Sequence, residues 1–378
     1  MRIGLIIYGR LDTETGGYLY DRMMARGLIQ LGHEVEVISL PGGSYLRRVG
    51  HGLLPGRCRR LLAGGFDVLV QDELCHPSLF VVNRRLRRQD GPIVVAMIHH
   101  LLCREPRRRW QNAMLAVTER RYLSSVDGFI HNSETTRRTV AALVGGDRPE
   151  IVAYPAGNRF GNSLSAETID QRAFGPGPLE LLFLGMVIPR KGLLPLLSAL
   201  AQVDRGIWRL SVVGSLDVDP VYVAEAGRLV RQLGLSDSVR FHGFCQDDDL
   251  VKVLRTSHLI CMPYAYEGFG IAILEAMAFG LPAICSRDGA AGETISHGAN
   301  GFLLNPRDLR GLAPLLADLH LDREALRRMS LAACATYVGH PTWQESVASI
   351  DGFLREMMGW QRRGNVAGPA RGANLDAG

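Results

Sequence analysis

The sequence predicts an α/β protein of two Rossmann-like, doubly wound domains in tandem, facing each other across a cleft. Three observations carry this. Strand-like and helix-like segments alternate through the first half of the chain. A stretch rich in Gly, Pro, Ser and polar residues, Pro155–Pro178, then breaks the pattern and reads as a linker. A second alternating run follows. The 378 residues suffice for two such domains with a core each.

The first-half strands are expected at Arg2–Tyr8, Glu34–Ser39, Val68–Gln71, Ile93–Ile98, Gly128–Asn132 and Ile151–Tyr154. Amphipathic helices fill the gaps, for example Gly17–Leu31 and Asn112–Ser124. Alternation at this spacing implies crossovers and a parallel sheet. In the second half, strands are expected at Leu179–Leu184, Trp208–Val213, Val239–Phe241, Leu259–Met262 and Ala283–Ser286. Helices are expected over most of Lys191–Gln202, and at Tyr222–Leu233, Asp247–Thr256 and Ile271–Phe279. The domains are expected at 1–165 and 176–341, with a final helix at 342–360. The tail, 361–378, lacks apolar periodicity and is expected to be disordered.

Hydrophobic residues make up 47% and charged residues 21%, ordinary for a soluble globular chain. No apolar run approaches the roughly 18 residues of a membrane span. The start, MRIGLIIYGRL, runs directly into a strand pattern without a cleavage site, so a cytoplasmic protein is expected. The seven cysteines are scattered with no CxxC spacing, which points to reduced thiols.

Charge is uneven. Arginines cluster in the first domain at Arg84/Arg85/Arg87/Arg88, Arg104/Arg107/Arg108/Arg109, Arg120/Arg121 and Arg137/Arg138. Such clusters are either solvated helix faces or a face that meets anionic lipid or an acidic acceptor, placing the protein peripherally on a membrane. No aromatic residue is read as interleaved with them, so nucleic acid is not an expected partner. Of 43 basic residues only Lys191 and Lys252 are lysine. A chain that writes arginine nearly everywhere has a reason for each lysine, and a compact ammonium reaching a phosphate is one.

Lys191 and Arg190 sit at a strand-to-helix turn, where backbone N–H groups and a helix dipole favour an anion. A solvated basic pair is the alternative. YEGFGIAILEAMAFGLP, Tyr266–Pro282, sets Glu275 in an apolar helix, where a carboxylate needs donors such as vicinal hydroxyls. Glu267 lies at its mouth beside Gly268, Phe269 and Gly270. It is either a helix cap or a ligand for something the glycines admit. Gly16 and Gly17 open the first helix; they form no GxGxxG, which weighs against a dinucleotide oxidoreductase. His99 and His100 end a strand and point to a crevice, either held by loop hydrogen bonds or sharing a proton near neutral pH. No carboxylate stands at metal-ligand spacing from them. Asp217–Asp219 reads as a loop and Asp247–Asp249 as a helix N-terminus, not as a metal-holding DxD.

Together these residues resemble the retaining glycosyltransferase family 4, of the two-domain GT-B fold. The likeness spans nearly the whole chain apart from the tail. Its most specific part is E-x7-E, Glu267 to Glu275, with EGFG before and GLP after. GMVIPRKG, VGS at Val213–Ser215, HGF at His242–Phe244 and SRDGAAGETISHGANGFLL at Ser286–Leu304 resemble the other donor-domain blocks. The resemblance implies a glycosyltransferase moving a hexose-type sugar from a nucleoside diphosphate sugar to a glycan, lipid-linked or small-molecule acceptor, with no metal and no other cofactor, in a setting such as cell-envelope polysaccharide synthesis. It implies that Gly16 and Gly17 lie by the donor's β-phosphate and that Arg190 and Lys191 neutralise the diphosphate. Glu267, with backbone groups of Gly268, Phe269 and Gly270, would hold the sugar, and Glu275 the ribose. Gly214 belongs to the VGS block. Gly243 and Phe244 would lie by the base, and His99, or with less weight His100, by the sugar and acceptor. The last helix would cross back onto the first domain. An epimerase of the same fold, or a non-catalytic sugar-nucleotide-binding subunit, is the alternative.

Overall fold

The computed structural model describes every residue except 53–55, 57–60, 62, 88–90, 162 and 367–378. Strand β1 (Arg2–Tyr8) shows how the first sheet forms. Ile3, Leu5 and Ile7 point to one core, and Ile6 and Tyr8 to another. A strand apolar on both sides belongs in a sheet covered on both faces. The neighbours are β2 (Glu34–Leu40), β3 (Val68–Asp72), β4 (Ile93–Ile98), β5 (Gly128–His131) and β6 (Glu150–Val152), all parallel, in the order β2-β1-β3-β4-β5-β6. Helix α1 (Gly16–Gln30) covers one face through Tyr20, Met24 and Leu28. The other face is covered by α3 (His76–Arg87), α4 (Arg109–Leu123) and α5 (Glu134–Val144). A short α2 (Tyr45–Gly52) precedes β3.

The second sheet contains β7 (Leu179–Leu184), β8 (Trp208–Val213), β9 (Val239–Gly243), β10 (Leu259–Met262), β11 (Ala283–Ser286) and β12 (Gly301–Leu304). It too is parallel, in the order β12-β11-β10-β7-β8-β9. Its helices are α7 (Leu193–Leu200), α8 (Pro220–Gln232), α9 (Asp247–Thr256), α10 (Ile271–Ala278), α11 (Leu312–Leu321) and α12 (Arg323–Val338). Strand order reverses at β1/β3 in the first sheet and at β7/β10 in the second. Ligands of open α/β sheets sit where the order reverses, outside the carboxyl ends.

The expected linker holds a two-turn helix, α6 (Ala166–Ala173), capped by Ser165. Only Ile169 and Ala173 of it are buried, too short a stripe to read against its Gly- and Pro-rich flanks. The last helix, α13 (Trp343–Val366), packs Trp343, Val347, Ile350 and Leu354 against the α1 side of the first domain. It runs past Trp360 to Val366, so 361–366 are helical and not disordered as expected; 367–378 lie outside the described residues. The six cysteines among the described residues are unpaired thiols.

Glu293 of the second domain clasps the first. Its carboxylate accepts from the backbone N–H of Glu134 (2.8 Å) and Thr135 (2.7 Å) at the start of α5, and from the Tyr154 hydroxyl (3.1 Å). A carboxylate on the free donors of a helix N-terminus is favoured by hydrogen bonding and by the helix dipole.

Candidate active site

Both strand-order reversals open on the same cleft. Gly16 and Gly17 arrive from the β1–α1 turn, and Asp72 and Glu73 from the end of β3. Arg190 and Lys191 come from a 3-10 turn after β7, and Glu267 to Gly270 from the loop after β10. The cleft contains two adjoining cavities of about 220 and 200 Å³. Gly16, Lys191, Glu267 and Gly270 line both, so they stand at the junction. His99 and His100 line the first cavity only; Gly214, Phe244 and Glu275 line the second only.

At the junction, Lys191 Nζ donates to Glu267 Oε2 at 2.7 Å and Arg190 Nη1 to the same oxygen at 3.1 Å. Burial alone would raise the Glu267 pKa, but the two cations hold it down to about 2. Glu267 is thus no helix cap. Both cations line the first cavity beside Glu267, where an anion can reach them.

Glu275 differs. Helix α10 is buried almost all round, and Glu275 is buried with it. Its Oε1 lies 2.6 Å from Arg159 Nε, yet neither atom makes a directed hydrogen bond. Burial raises its pKa to about 7, against the opposing pull of Arg159. Glu275 lines the second cavity, where hydroxyls of a ligand can reach its carboxylate.

In the first domain, His99 is buried, with Nε2 3.1 Å from Asp21 Oδ1. Burial alone would lower its pKa; Asp21, with Glu73 and Asp72 nearby, raises it to about 10. His99 is therefore a cation at neutral pH in the free protein. Asp21 on α1 lies against the ring and favours its charged form. The Glu73 carboxyl accepts the backbone N–H of His99 at 2.9 Å and of His100 at 3.3 Å. His100 Nε2 lies 2.9 Å from Glu105 Oε1, and Arg190 Nε lies 3.5 Å from the same oxygen. Glu105 thereby ties the first-domain wall to the second.

Two glycines are fixed by close approach. A Cβ on Gly268 would fall 1.8 Å from the His99 carbonyl oxygen, so the domains meet there backbone to side-chain-free backbone. A Cβ on Gly214 would fall 2.0 Å from the Gly185 carbonyl oxygen, where the ends of β7 and β8 converge. Phe269 is buried between Tyr154 and His340, so its ring serves the seam between domains. Gly243 lines neither of these two cavities; its carbonyl accepts the Gly214 N–H at 2.8 Å and shapes the loop that carries Phe244. Asp219 caps α8 by accepting from Tyr222 N at 3.0 Å, and Asp247–Asp249 form the first turn of α9.

Arg159, Glu105, Asp21, Asp72 and Glu73 were not legible as site residues. Asp21 carried the same signal as Glu275, a carboxylate on an apolar helix face between Tyr20 and Met24. Asp21, Asp72 and His99 also place their ligand atoms within 4.8 Å of one another, an arrangement of the metal-ligand kind. They come from three elements, so spacing along the chain could not disclose it.

Fold, cleft and E-x7-E loop define a class, the two-domain glycosyltransferases. The family models agree: "Glycosyl transferases group 1" matches residues 165–335, and "Glycosyl transferase 4-like domain" matches 15–157. The chain belongs to this family, and it is a glycosyltransferase enzyme of the GT-B fold. Among curated relatives, a D-inositol 3-phosphate glycosyltransferase of Nocardia farcinica is 26% identical, over 95% of this chain and 88% of its own. A phosphatidyl-myo-inositol mannosyltransferase of Mycobacterium leprae is 29% identical over 93% and 95%. Among solved structures, a sucrose-phosphate synthase of Thermosynechococcus elongatus has TM-score 0.81 at 20% identity, covering 95% of this chain and 99% of its own. The Anabaena protein HepE with UDP-glucose has TM-score 0.74 at 19% identity, covering 95% and 100%. No helix among the described residues is long and apolar enough to cross a membrane.

Proposed function

We propose that this enzyme transfers a hexose-type sugar, with retention of anomeric configuration, from a nucleoside diphosphate sugar to a glycan, lipid-linked or small-molecule acceptor. The observation that carries the reading is the junction of the two cavities. Lys191 and Glu267 stand there, with Arg190 reaching Glu267 from the first cavity, between a cavity bounded by His99 and one bounded by Glu275. A donor's diphosphate lies between its sugar and its nucleoside, and this order of charges matches it. HepE, a structural neighbour, is described in complex with UDP-glucose, which supports the same donor class here.

On donor binding the diphosphate competes with Glu267 for the two cations. Glu267, released in part, turns to the hydroxyls of the sugar with the backbone of Gly268, Phe269 and Gly270. Glu275 accepts the ribose hydroxyls. As the sugar–phosphate bond breaks, charge grows on the departing diphosphate, and Lys191 and Arg190 stabilise it without reorganisation. No metal is needed for that role in this reading, and none is proposed. Gly16 and Gly17 let the phosphate approach the start of α1. A peripheral contact with anionic membrane through the first domain belongs to the same reading, its support being the arginine clusters.

Titration calorimetry with UDP- and GDP-sugars, with chelator present, tests the donor reading. Micromolar binding of at least one is expected; no binding across the panel would overturn it.

A further inference from the structure

The arginine clusters separate on inspection of their partners. Arg87 pairs with Asp127 at 3.0 Å, and Arg137 and Arg138 pair with Glu134. Arg107 is held by Glu105. Arg108, Arg109, Arg120 and Arg121 are exposed and have no ion-pair partner among the described residues. All four belong to α4 or its N-cap.

The outer face of that helix is not polar. Trp110, Met114 and Val117 are 58%, 64% and 50% exposed, and Ala113 stands exposed between them. At 100° per residue these four fall within one stripe, and Arg121 continues it. The stripe spans about 10 Å from Trp110 to Val117. The opposite face supplies Tyr122 and Leu123 to the core, with the Glu119 carboxylate accepting from Leu102 N at 2.6 Å and Cys103 N at 3.2 Å. So α4 is apolar on both sides and packed on only one. Trp110 also corrects the expectation that no aromatic residue accompanies the clusters: it ends the run Arg107–Arg109 and faces outward.

We infer that the outer face of α4 is the surface by which this protein lies on an anionic lipid bilayer. This rests on the peripheral-contact reading above and assigns it a surface. The occupant follows from the chemistry of the face. An apolar stripe with an indole at one end suits the boundary between acyl chains and headgroups, and unpaired guanidiniums at both ends suit anionic headgroups. The placement suits the enzyme as well. Asn112 of α4 donates to the Glu105 carbonyl at 3.0 Å, and Glu105 reaches His100 and Arg190 in the cleft. A bilayer under α4 would bring a membrane-borne acceptor to the mouth of the first cavity.

The test is flotation of the full chain with phosphatidylcholine vesicles, with and without phosphatidylglycerol. Binding is expected only with the anionic lipid, weakening as salt rises. Trp110→Ser with Met114→Ser should reduce partitioning about tenfold or more, and Arg120→Ala with Arg121→Ala about fivefold per arginine. Melting temperature and nucleotide-sugar binding should stay unchanged in both. Trp110→Phe should retain binding while removing most of the blue shift of tryptophan emission on vesicles. If wild type floats but the α4 variants float equally well, the assignment to α4 fails while membrane contact stands. If wild type does not float, both fail, and the donor reading is judged separately by calorimetry. Dimerisation that the α4 variants abolish, or binding of single-stranded oligonucleotide in place of vesicles, would likewise overturn the inference.

Discussion

On the first-domain side of the cleft, Asp21, Asp72, Glu73 and His99 are buried and engage one another. Burial pushes Asp72 up to about 6 and Glu73 well above the usual carboxylate range, while His99 is held as a cation. On the second-domain side, Lys191 and Arg190 overwhelm the burial of Glu267 and keep it ionised, and both cations face the cavities. One wall satisfies its charges internally and gives shape. The other presents its two cations at a cavity wall, where a ligand can compete for them. The same burial thus has opposite outcomes according to which partners stand within hydrogen-bond reach.

The strongest way to break this contrast is to remove the open charge. Lys191→Ala should lower turnover by about 10²–10³ at saturating donor, while melting temperature shifts little. Unchanged turnover would take Lys191 out of the site.

The contrast also requires the walls to meet closely. Gly268→Ala places a Cβ against the His99 carbonyl and should force the domains apart. Turnover is expected to fall about a hundredfold with far-UV circular dichroism unchanged. A normal rate would show that the seam closes differently.

Glu275 offers a sharper test, because its pKa of about 7 lies in an accessible range. Its folded pKa is above the ordinary 4.5, so the empty protein retains a proton there that the unfolded chain gives up, and this group's contribution to stability declines as pH rises from about 4.5 to about 7. Hydroxyls donated to the ionised form lower the bound-state pKa. Donor binding at about pH 6 should therefore release a proton, and at about pH 8 it should not. Calorimetry in buffers of different ionisation enthalpy reads this. Glu275→Gln should abolish the release and raise the donor KM roughly ten- to hundredfold. Release that persists in the variant would place the titrating group elsewhere.

The smallest effect is expected at the clasp. Glu293→Ala leaves the N-terminus of α5 without its carboxylate and should cost about 1 kcal/mol in thermal unfolding, with a modest rise in KM. A larger rate loss than that of Gly268→Ala would make Glu293, not the seam, the element that holds the walls together.

Much of this was legible along the chain. Strands such as Arg2–Tyr8 and Leu179–Leu184 fall as periodicity and composition predict, because a strand buried on both faces leaves an unbroken apolar run. Glu267, Glu275, Arg190 and Lys191 stood out as charges placed against their local composition. These are local signals, and local sequence determines them. Tertiary structure alone decided what each charge does. Glu267 is ionised because a turn after β7 carries two cations to it; Glu275 rises because burial outweighs the pull of Arg159, which reaches it from far back in the linker. His99 is a cation because α1 sets Asp21 against a residue that β4 delivers. Burial and electrostatic pairing depend on distance in space and on excluded water, and neither is a property of spacing along a chain.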